Sequence, residues 1–184
     1  MNTWMRMGWL AVALGLPVSC SAWRLSVGGG LLAGLVQASS PTGTALGWQF
    51  AGQWTREGYV GQRWLVDLTA GQFATRPGSS GLLERGRELG GLVLWERRVP
   101  FSYAFRPWLG IGAGVTRYRF DDRLRLNGDG YAVGTYPDSS ESDWDIGIGA
   151  SIPINRSWSI GVTAQTGFPT RISTFGVTVL WRLF

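Results

Sequence analysis

Residues 173–184 read STFGVTVLWRLF and form the last stretch of the sequence. The apolar side chains of Phe175, Val177 and Val179 alternate with small or polar residues, and Trp181 continues the same phase. Because side chains of a β-strand point alternately to its two faces, this stretch predicts a strand with one apolar face. The alternation reaches the final residues, so we expect the last residues of the sequence to belong to a strand.

The same period of two recurs along the sequence from residue 23, and helical periodicity is nearly absent there. The pattern predicts eight strands of about ten residues or more, longer than the five or six residues usual in soluble sheets. Strands of this length are typical of tilted strands that cross a membrane. The predicted strands are 23–35, 44–56, 63–75, 88–98, 106–120, 144–154, 157–168 and 174–184.

The composition is that of a single domain with few charges. The 184 residues include 28 glycines and 11 tryptophans, while charged residues make up only 16%. No uninterrupted apolar run after residue 22 is long enough for a transmembrane helix. The sequence contains no histidine, the usual general base and the commonest metal ligand. This composition argues against a helical membrane protein and against most enzyme classes.

The first 22 residues resemble a secretory signal peptide. Arg6 precedes an apolar run over residues 7–18, and the small residues 19–22 follow it. This pattern predicts a signal peptide over 1–22, cleaved after Ala22, and a mature domain over 23–184. The alternative is that Cys20 is the lipidated cysteine of a lipoprotein. Both interpretations place the chain outside the cytoplasm.

The connections and the tryptophans occupy regular positions relative to the ends of the predicted strands. Short turns fall on one side of the sheet, and the longer polar segments, above all residues 76–87 and 121–143, fall on the other. Tryptophan suits the headgroup level of a membrane, so tryptophans at one end of the strands predict an interfacial belt. The predicted belt is Trp23, Trp54, Trp64, Trp95, Trp108, Trp158 and Trp181. A looser girdle at the other end is predicted from Phe73, Tyr118, Phe120, Trp144, Phe168 and Phe175.

A soluble sandwich or lipocalin-like barrel also alternates, with its apolar face inside. Here the apolar face carries the tryptophans and the other face is rich in glycine, which favours a membrane barrel. We therefore predict an all-β fold, an eight-stranded antiparallel up-and-down transmembrane β-barrel.

With its leader, eight long strands, long loops on one side and terminal Phe184, the sequence resembles small bacterial outer-membrane barrels of the OmpA and OmpX type. The resemblance implies residence in the outer membrane with both termini periplasmic. It also implies contact with membrane lipid and lipopolysaccharide, and recognition of the last strand by the barrel-insertion machinery. Phe184 departs from the family pattern because it shares the phase of Arg182, so we expect a bulge near Arg182 or an inward Phe184.

The inward face is predicted to hold a layer of charged residues near the tryptophan belt. The lumen of an eight-stranded barrel is only wide enough for side chains, so these charges must pair and form a plug. A gate or a proton path is the alternative use of the same pairs. Inward glycines leave either a small cavity or a tightly curved wall. The predicted charge layer is Arg24, Arg63, Asp67, Glu96, Arg98 and Arg182.

The segment 121–143 mixes acidic residues with arginines. Its acidic spacing does not match the twelve-residue calcium loop, and residues 127–130 (NGDG) predict a hairpin turn instead. Arginine suits phosphate geometry, so arginines on this side are interpreted as lipopolysaccharide contacts or as a solvated face. They are Arg76, Arg85, Arg87, Arg117, Arg119, Arg123, Arg125 and Arg171.

The sequence predicts a non-enzymatic barrel without a cofactor or metal, which supports envelope integrity or binds through its loops. A narrow channel or cavity for a small molecule is the first alternative. A lipid-modifying enzyme is the second, but it would have to use an unfamiliar pair such as Ser151 with Asp145 or Ser26 with Arg24. Export and the lack of a basic stripe argue against binding of nucleic acid.

Overall fold

The computed structural model describes residues 23–35, 44–58, 60–76, 80–101, 106–139 and 142–183. The predicted signal peptide, with Cys20, lies outside the described residues. No helix in the described ranges is long and apolar enough to cross a membrane. The strands are β1 (Arg24–Leu35), β2 (Thr44–Glu57), β3 (Gln62–Thr75), β4 (Arg85–Arg98), β5 (Trp108–Leu126), β6 (Ala132–Asp138), β7 (Ser142–Pro153), β8 (Trp158–Phe168) and β9 (Ser173–Arg182).

Eight of these strands close into an antiparallel barrel. Each strand pairs with its neighbour in the chain, except that β5 pairs with β7 and β6 lies outside the ring. Pairing of β1 with β9 closes the barrel, so the ring has no unpaired edge. The predicted eight-stranded antiparallel barrel is confirmed, and its strand boundaries agree with the predicted ones to within a few residues over most of the chain.

The two ends of the barrel differ in their connections. We call the end that holds Arg24 and Arg182 the terminal end, and the opposite one the loop end. Short connections join β2 to β3 and β7 to β8 at the terminal end. In the second of these turns, the Asn155 side chain accepts hydrogen bonds from the backbone N–H groups of Ser157 (2.8 Å) and Trp158 (2.9 Å).

The loop end carries a β-hairpin where the sequence predicted a long polar loop with a hairpin turn at residues 127–130. Strand β5 continues past the barrel to Leu126 and pairs there with β6. The predicted turn is confirmed: the Asn127 side chain accepts hydrogen bonds from the N–H groups of Asp129 (3.1 Å) and Tyr131 (2.8 Å). Gly130 has φ of 83°, a conformation that glycine adopts without strain.

Close approach of neighbouring backbones explains two of the inward glycines. A Cβ atom at Gly30 on β1 would overlap the backbone of β9, and one at Gly112 on β5 would overlap the backbone of β4. In addition, β2 contacts β9 across β1, and β4 contacts β7 across β5. The wall therefore turns sharply at β1 and β5, on opposite sides of the ring. These glycines serve curvature, one of the two roles that the sequence left open.

The outer face of the barrel is apolar and the inner face is largely polar. Leu31 is 74% exposed and Phe50 is 63% exposed on the outside, whereas Gln49 and Thr178 are buried inside. A closed ring satisfies all backbone hydrogen bonds between strands, so an apolar outer face can lie against lipid. The chain is therefore a transmembrane β-barrel.

The last strand reaches the terminal end without a bulge in its described part. Arg182 pairs in register with Ser26 of β1, and the ladder between β1 and β9 shows no shift. The bulge predicted near Arg182 is thus not found, whereas Phe184 lies outside the described residues.

Candidate functional site

A buried ion pair closes the lumen at the terminal end. Glu96 is fully buried, and the Nε atom of Arg63 donates a hydrogen bond to it at 2.5 Å. The hydroxyl of Ser151 donates to the other carboxylate oxygen at 3.0 Å. The Arg63 guanidinium also lies 4.4 Å from the ring centre of Trp108, a cation–π distance. We call Arg63, Glu96, Ser151 and Trp108 the terminal plug.

The terminal plug contains two of the six residues predicted for the charge layer. Asp67 is buried farther into the lumen. Arg24 does not join the layer, because it lies exposed at the rim and pairs with Glu57 at 2.9 Å. Arg98 is exposed and lies 5.8 Å from the Trp108 ring, and Arg182 is half-buried. The predicted single layer is therefore a central pair with an exposed rim around it.

Six of the tryptophans assigned to the belt lie on the outer face at the terminal end. Two pairs are direct cross-strand neighbours, Trp64 with Trp95 and Trp158 with Trp181. The rings of the second pair are stacked with centroids 6.3 Å apart. Such a ring of amphipathic side chains marks a membrane interface. The six are Trp23, Trp54, Trp64, Trp95, Trp158 and Trp181.

Trp108 is not part of this belt, and that prediction is wrong. Its side chain is only 7% exposed and lies inside the lumen. Trp108 has the same strand phase as Gly110 and Gly112, which face inward. The phase of these glycines was visible in the sequence and would have placed Trp108 correctly.

The middle of the lumen is filled. Leu65, Leu92 and Leu94 form a buried apolar cluster there. The cavity that remains beside them, between Gln49 and Gln165, has a volume of about 10 Å³, room for about one water molecule. At this height of the lumen the inward glycines therefore do not leave an open cavity.

Three carboxylates lie buried in the upper lumen, one of them at the wall of this cavity. Glu88, Asp143 and Asp145 are each at most 5% exposed. A Cβ atom at Gly167 would lie 2.6 Å from Asp143 and 2.9 Å from Asp145, so the two aspartates face the same point. The backbone N–H and hydroxyl of Thr170 donate hydrogen bonds to Asp143.

No arginine of the described ranges is buried beside these carboxylates. Within the same ranges no group of residues that could hold a metal ion is found. The sequence placed Glu88 and Asp145 inside the barrel. It assigned Asp143 to the long loop, because the predicted strand begins at Trp144. The structure places Asp143 in β7, in contact with Thr170.

An aromatic cluster closes the loop end of the lumen. The ring of Phe73 meets the rings of Tyr118 and Phe120 edge-on, with centroids 6.4 and 5.6 Å apart. Leu32, Ala45 and Ile172 complete the same buried cluster. These three aromatic residues were predicted for an outer girdle, so that prediction is wrong for them. The other three predicted residues of that girdle, Trp144, Phe168 and Phe175, are exposed.

The arginines assigned to lipopolysaccharide lie at the loop end. Arg85 pairs with Asp122, Arg123 pairs with Asp138, and Arg87 approaches Asp121 at 3.2 Å. Arg123 is half-buried, while the other seven are exposed: Arg76, Arg85, Arg87, Arg117, Arg119, Arg125 and Arg171.

Ser151 and Asp145 do not come together, and the Arg24 side chain is engaged with a residue other than Ser26. Ser151 donates its hydrogen bond to Glu96 inside the terminal plug, six residues along β7 from Asp145. Arg24, the partner considered for Ser26, forms its ion pair with Glu57.

These features define a class, the small eight-stranded β-barrels of outer membranes. The outer-membrane location predicted for the barrel is confirmed. Among the solved structures that share its fold are the following two. Neisserial surface protein A is 12% identical, with a TM-score of 0.55 over 89% of this chain and 98% of that one. Ail, the attachment invasion locus protein of Yersinia pestis, was solved with the heparin analogue sucrose octasulfate. It is 10% identical, with a TM-score of 0.50 over 89% of this chain and 99% of that one.

At these identities the likeness extends to the fold alone. No family model matches the sequence, and no curated protein matches it.

Proposed function

We propose that this protein is a non-enzymatic outer-membrane barrel with a plugged lumen. It contributes to envelope integrity and displays the β5–β6 hairpin at the cell surface as a binding element. The terminal end faces the periplasm, and the barrel uses no cofactor. The observation that carries the proposal is closure of the lumen at both ends, by the terminal plug on one side and the aromatic cluster on the other.

Closure of the lumen argues against a channel. An ion that entered at the terminal end would have to separate Arg63 from Glu96, and breaking a buried pair leaves an uncompensated charge. Beyond the pair it would meet the leucine cluster and then the rings of Phe73 and Phe120. A cavity of about 10 Å³ between these barriers does not form a path.

The hairpin is suited to binding because it projects beyond the membrane and carries exposed apolar residues. Four residues of β5 lie beyond Asp122, the last residue that pairs with β4, and they extend roughly 13 Å. Tyr131 is 68% exposed and Val133 is 59% exposed on this hairpin. Exposed apolar residues in water are typical of contact surfaces, and tyrosine is enriched at interfaces.

The purified barrel is expected to show no steady conductance in a planar lipid bilayer. Both ends of its lumen are blocked, so ions have no continuous water path. A large porin reconstituted by the same procedure is the positive control, since its lumen is an aqueous channel. Stepwise, lasting conductance from the folded barrel would show that the plugged-lumen proposal is wrong.

Cysteine labelling in intact cells tests which end is outside. The sequence has one cysteine, Cys20 in the predicted leader, so the parent chain provides the background. We expect Tyr131→Cys in the hairpin to react with a membrane-impermeant maleimide. Ser157→Cys, in the exposed turn at the terminal end, is the matched control and is expected to react only after the outer membrane is opened. The reverse pattern would contradict the proposed orientation.

A further inference from the structure

The outer face of the barrel has a groove near the loop end, with a volume of about 820 Å³. Its floor is apolar and is formed by side chains that stand out from β2 and β4. Its upper part is basic. We call it the arginine groove; the lining residues that matter here are Trp48, Phe50, Leu89, Arg87, Arg117 and Arg119.

The strand register concentrates positive charge in this groove. Arg87 of β4 lies directly opposite Arg119 of β5, and Arg117 lies two residues below Arg119 on the same strand. Like charges in direct cross-strand positions destabilise a sheet. Asp121 approaches Arg87 at 3.2 Å, and it is the one carboxylate paired with these arginines in the described part of the chain. Asp138 and Glu88 also line the groove, but Asp138 pairs with Arg123 and Glu88 is buried. Arg117 and Arg119 therefore keep positive charge in the groove that no ion pair of the described residues neutralises.

The groove lies at the level of the lipid headgroups. Arg87 is eight residues from Trp95 along β4, which is roughly 27 Å along the strand. A strand tilt of about 40° reduces this to a height of about 21 Å above the tryptophan belt, close to the apolar band of about 25 Å usual for such barrels. The arginines thus meet headgroups, while the floor below them meets acyl chains.

The floor is built to contact an acyl chain. The rings of Trp48 and Phe50 meet edge-on with centroids 5.2 Å apart, and both are exposed on the outer face. Leu89 is also exposed, and it lies directly opposite Arg117 in the register. An apolar wall therefore lies directly beneath the basic part of the groove.

We propose that the arginine groove binds one anionic, phosphate-bearing lipid of the leaflet at the loop end. The phosphate lies against Arg87, Arg117 and Arg119, because guanidinium groups match phosphate geometry and bond to it in a bidentate manner. An acyl chain lies over Trp48, Phe50 and Leu89. This inference goes beyond the proposed function, since neither lumen closure nor hairpin display requires a bound lipid.

Lipid titration of the full mature barrel, folded in detergent micelles, tests the site. The probe is long-chain phosphatidic acid, and the readout is the bound fraction by native mass spectrometry. We expect Arg117→Gln/Arg119→Gln to weaken binding by about tenfold or more. The control is Arg76→Gln/Arg125→Gln, which removes the same charge from the loop end outside the groove and is expected to change binding by at most about twofold.

Three further arms separate this site from other anion sites. Leu89→Asn is expected to weaken binding of the long-chain lipid, and phosphatidylcholine, which has no net charge, is expected to bind weakly. Inorganic phosphate is not expected to displace the lipid. Equal losses in the two double variants, tight binding of phosphatidylcholine, or displacement by inorganic phosphate would each overturn the proposal.

Heat-dependent migration on a gel establishes that each variant is folded, and Arg117→Gln alone replaces the double variant if that one fails to fold. These results are independent of conductance and cysteine labelling. The lipid site and the proposed function can therefore fail separately.

Discussion

Replacing Glu96 by Gln is expected to lower the free energy of unfolding of the barrel by about 3–5 kcal/mol, the usual cost of breaking a buried ion pair. Glu96 is fully buried and holds Arg63 at 2.5 Å, and the Arg63 side chain is only 11% exposed. An amide of the same shape carries no charge, so the guanidinium stays buried without its counter-ion. The measurement is a urea titration of the folded barrel in lipid vesicles, followed by tryptophan fluorescence.

Glu57→Gln is the matched control at the same end of the barrel. Its ion pair with Arg24 has a similar form, but both side chains are close to half exposed. Exposed pairs contribute about 1 kcal/mol or less, so the free energy of unfolding of this variant is expected to stay close to that of the parent protein. Arg63→Gln/Glu96→Gln should lose less than the sum of the single variants, because neither charge is then left alone. Equal, small losses for Glu96→Gln and Glu57→Gln would show that the plug does not hold the barrel together.

Much of the fold could be predicted because lipid imposes one rule on every strand. Each outward residue in the membrane must be apolar, so an alternation such as that of Phe175, Val177 and Val179 is regular and long. The rule weakens outside the membrane. Residues 121–126 of β5 carry charges on both faces, and this part was interpreted as a loop although it continues the strand into the hairpin.

The site was predicted less well, because alternation shows the phase of a strand but not what its inward side chains meet. Arg63 and Glu96 were placed together since both point inward near one end. Trp108 and Phe120 were misplaced because aromatic residues at a strand end suit an interfacial girdle as well as a lumen plug. The contact of Asp143 with Thr170 depends on the register between β7 and the turn after β8, which local sequence does not encode.

Replacing Gly112 by Ala is expected to prevent the barrel from closing normally. The added Cβ atom would overlap the carbonyl oxygen of Val93 and would lie 2.9 Å from the Cα atom of Leu94. Both atoms belong to the backbone of β4, so no side chain can move away to relieve the contact. Overpacking costs about 1–3 kcal/mol where side chains can adjust. A backbone clash at a corner of the ring is expected to cost about 3 kcal/mol or more.

Gly134→Ala is the control for the Gly112 variant, because Gly134 lies in β6 and a Cβ atom there meets nothing within 4 Å. The two variants make the same chemical change in a strand, and only the one at the corner is expected to reduce the folded fraction on a gel run without heating. Urea titration of the material that does fold gives the loss in free energy. Normal folding of Gly112→Ala would mean that β4 and β5 can separate at little cost in free energy. The inward glycines would then not be required for the sharp turns of the barrel wall.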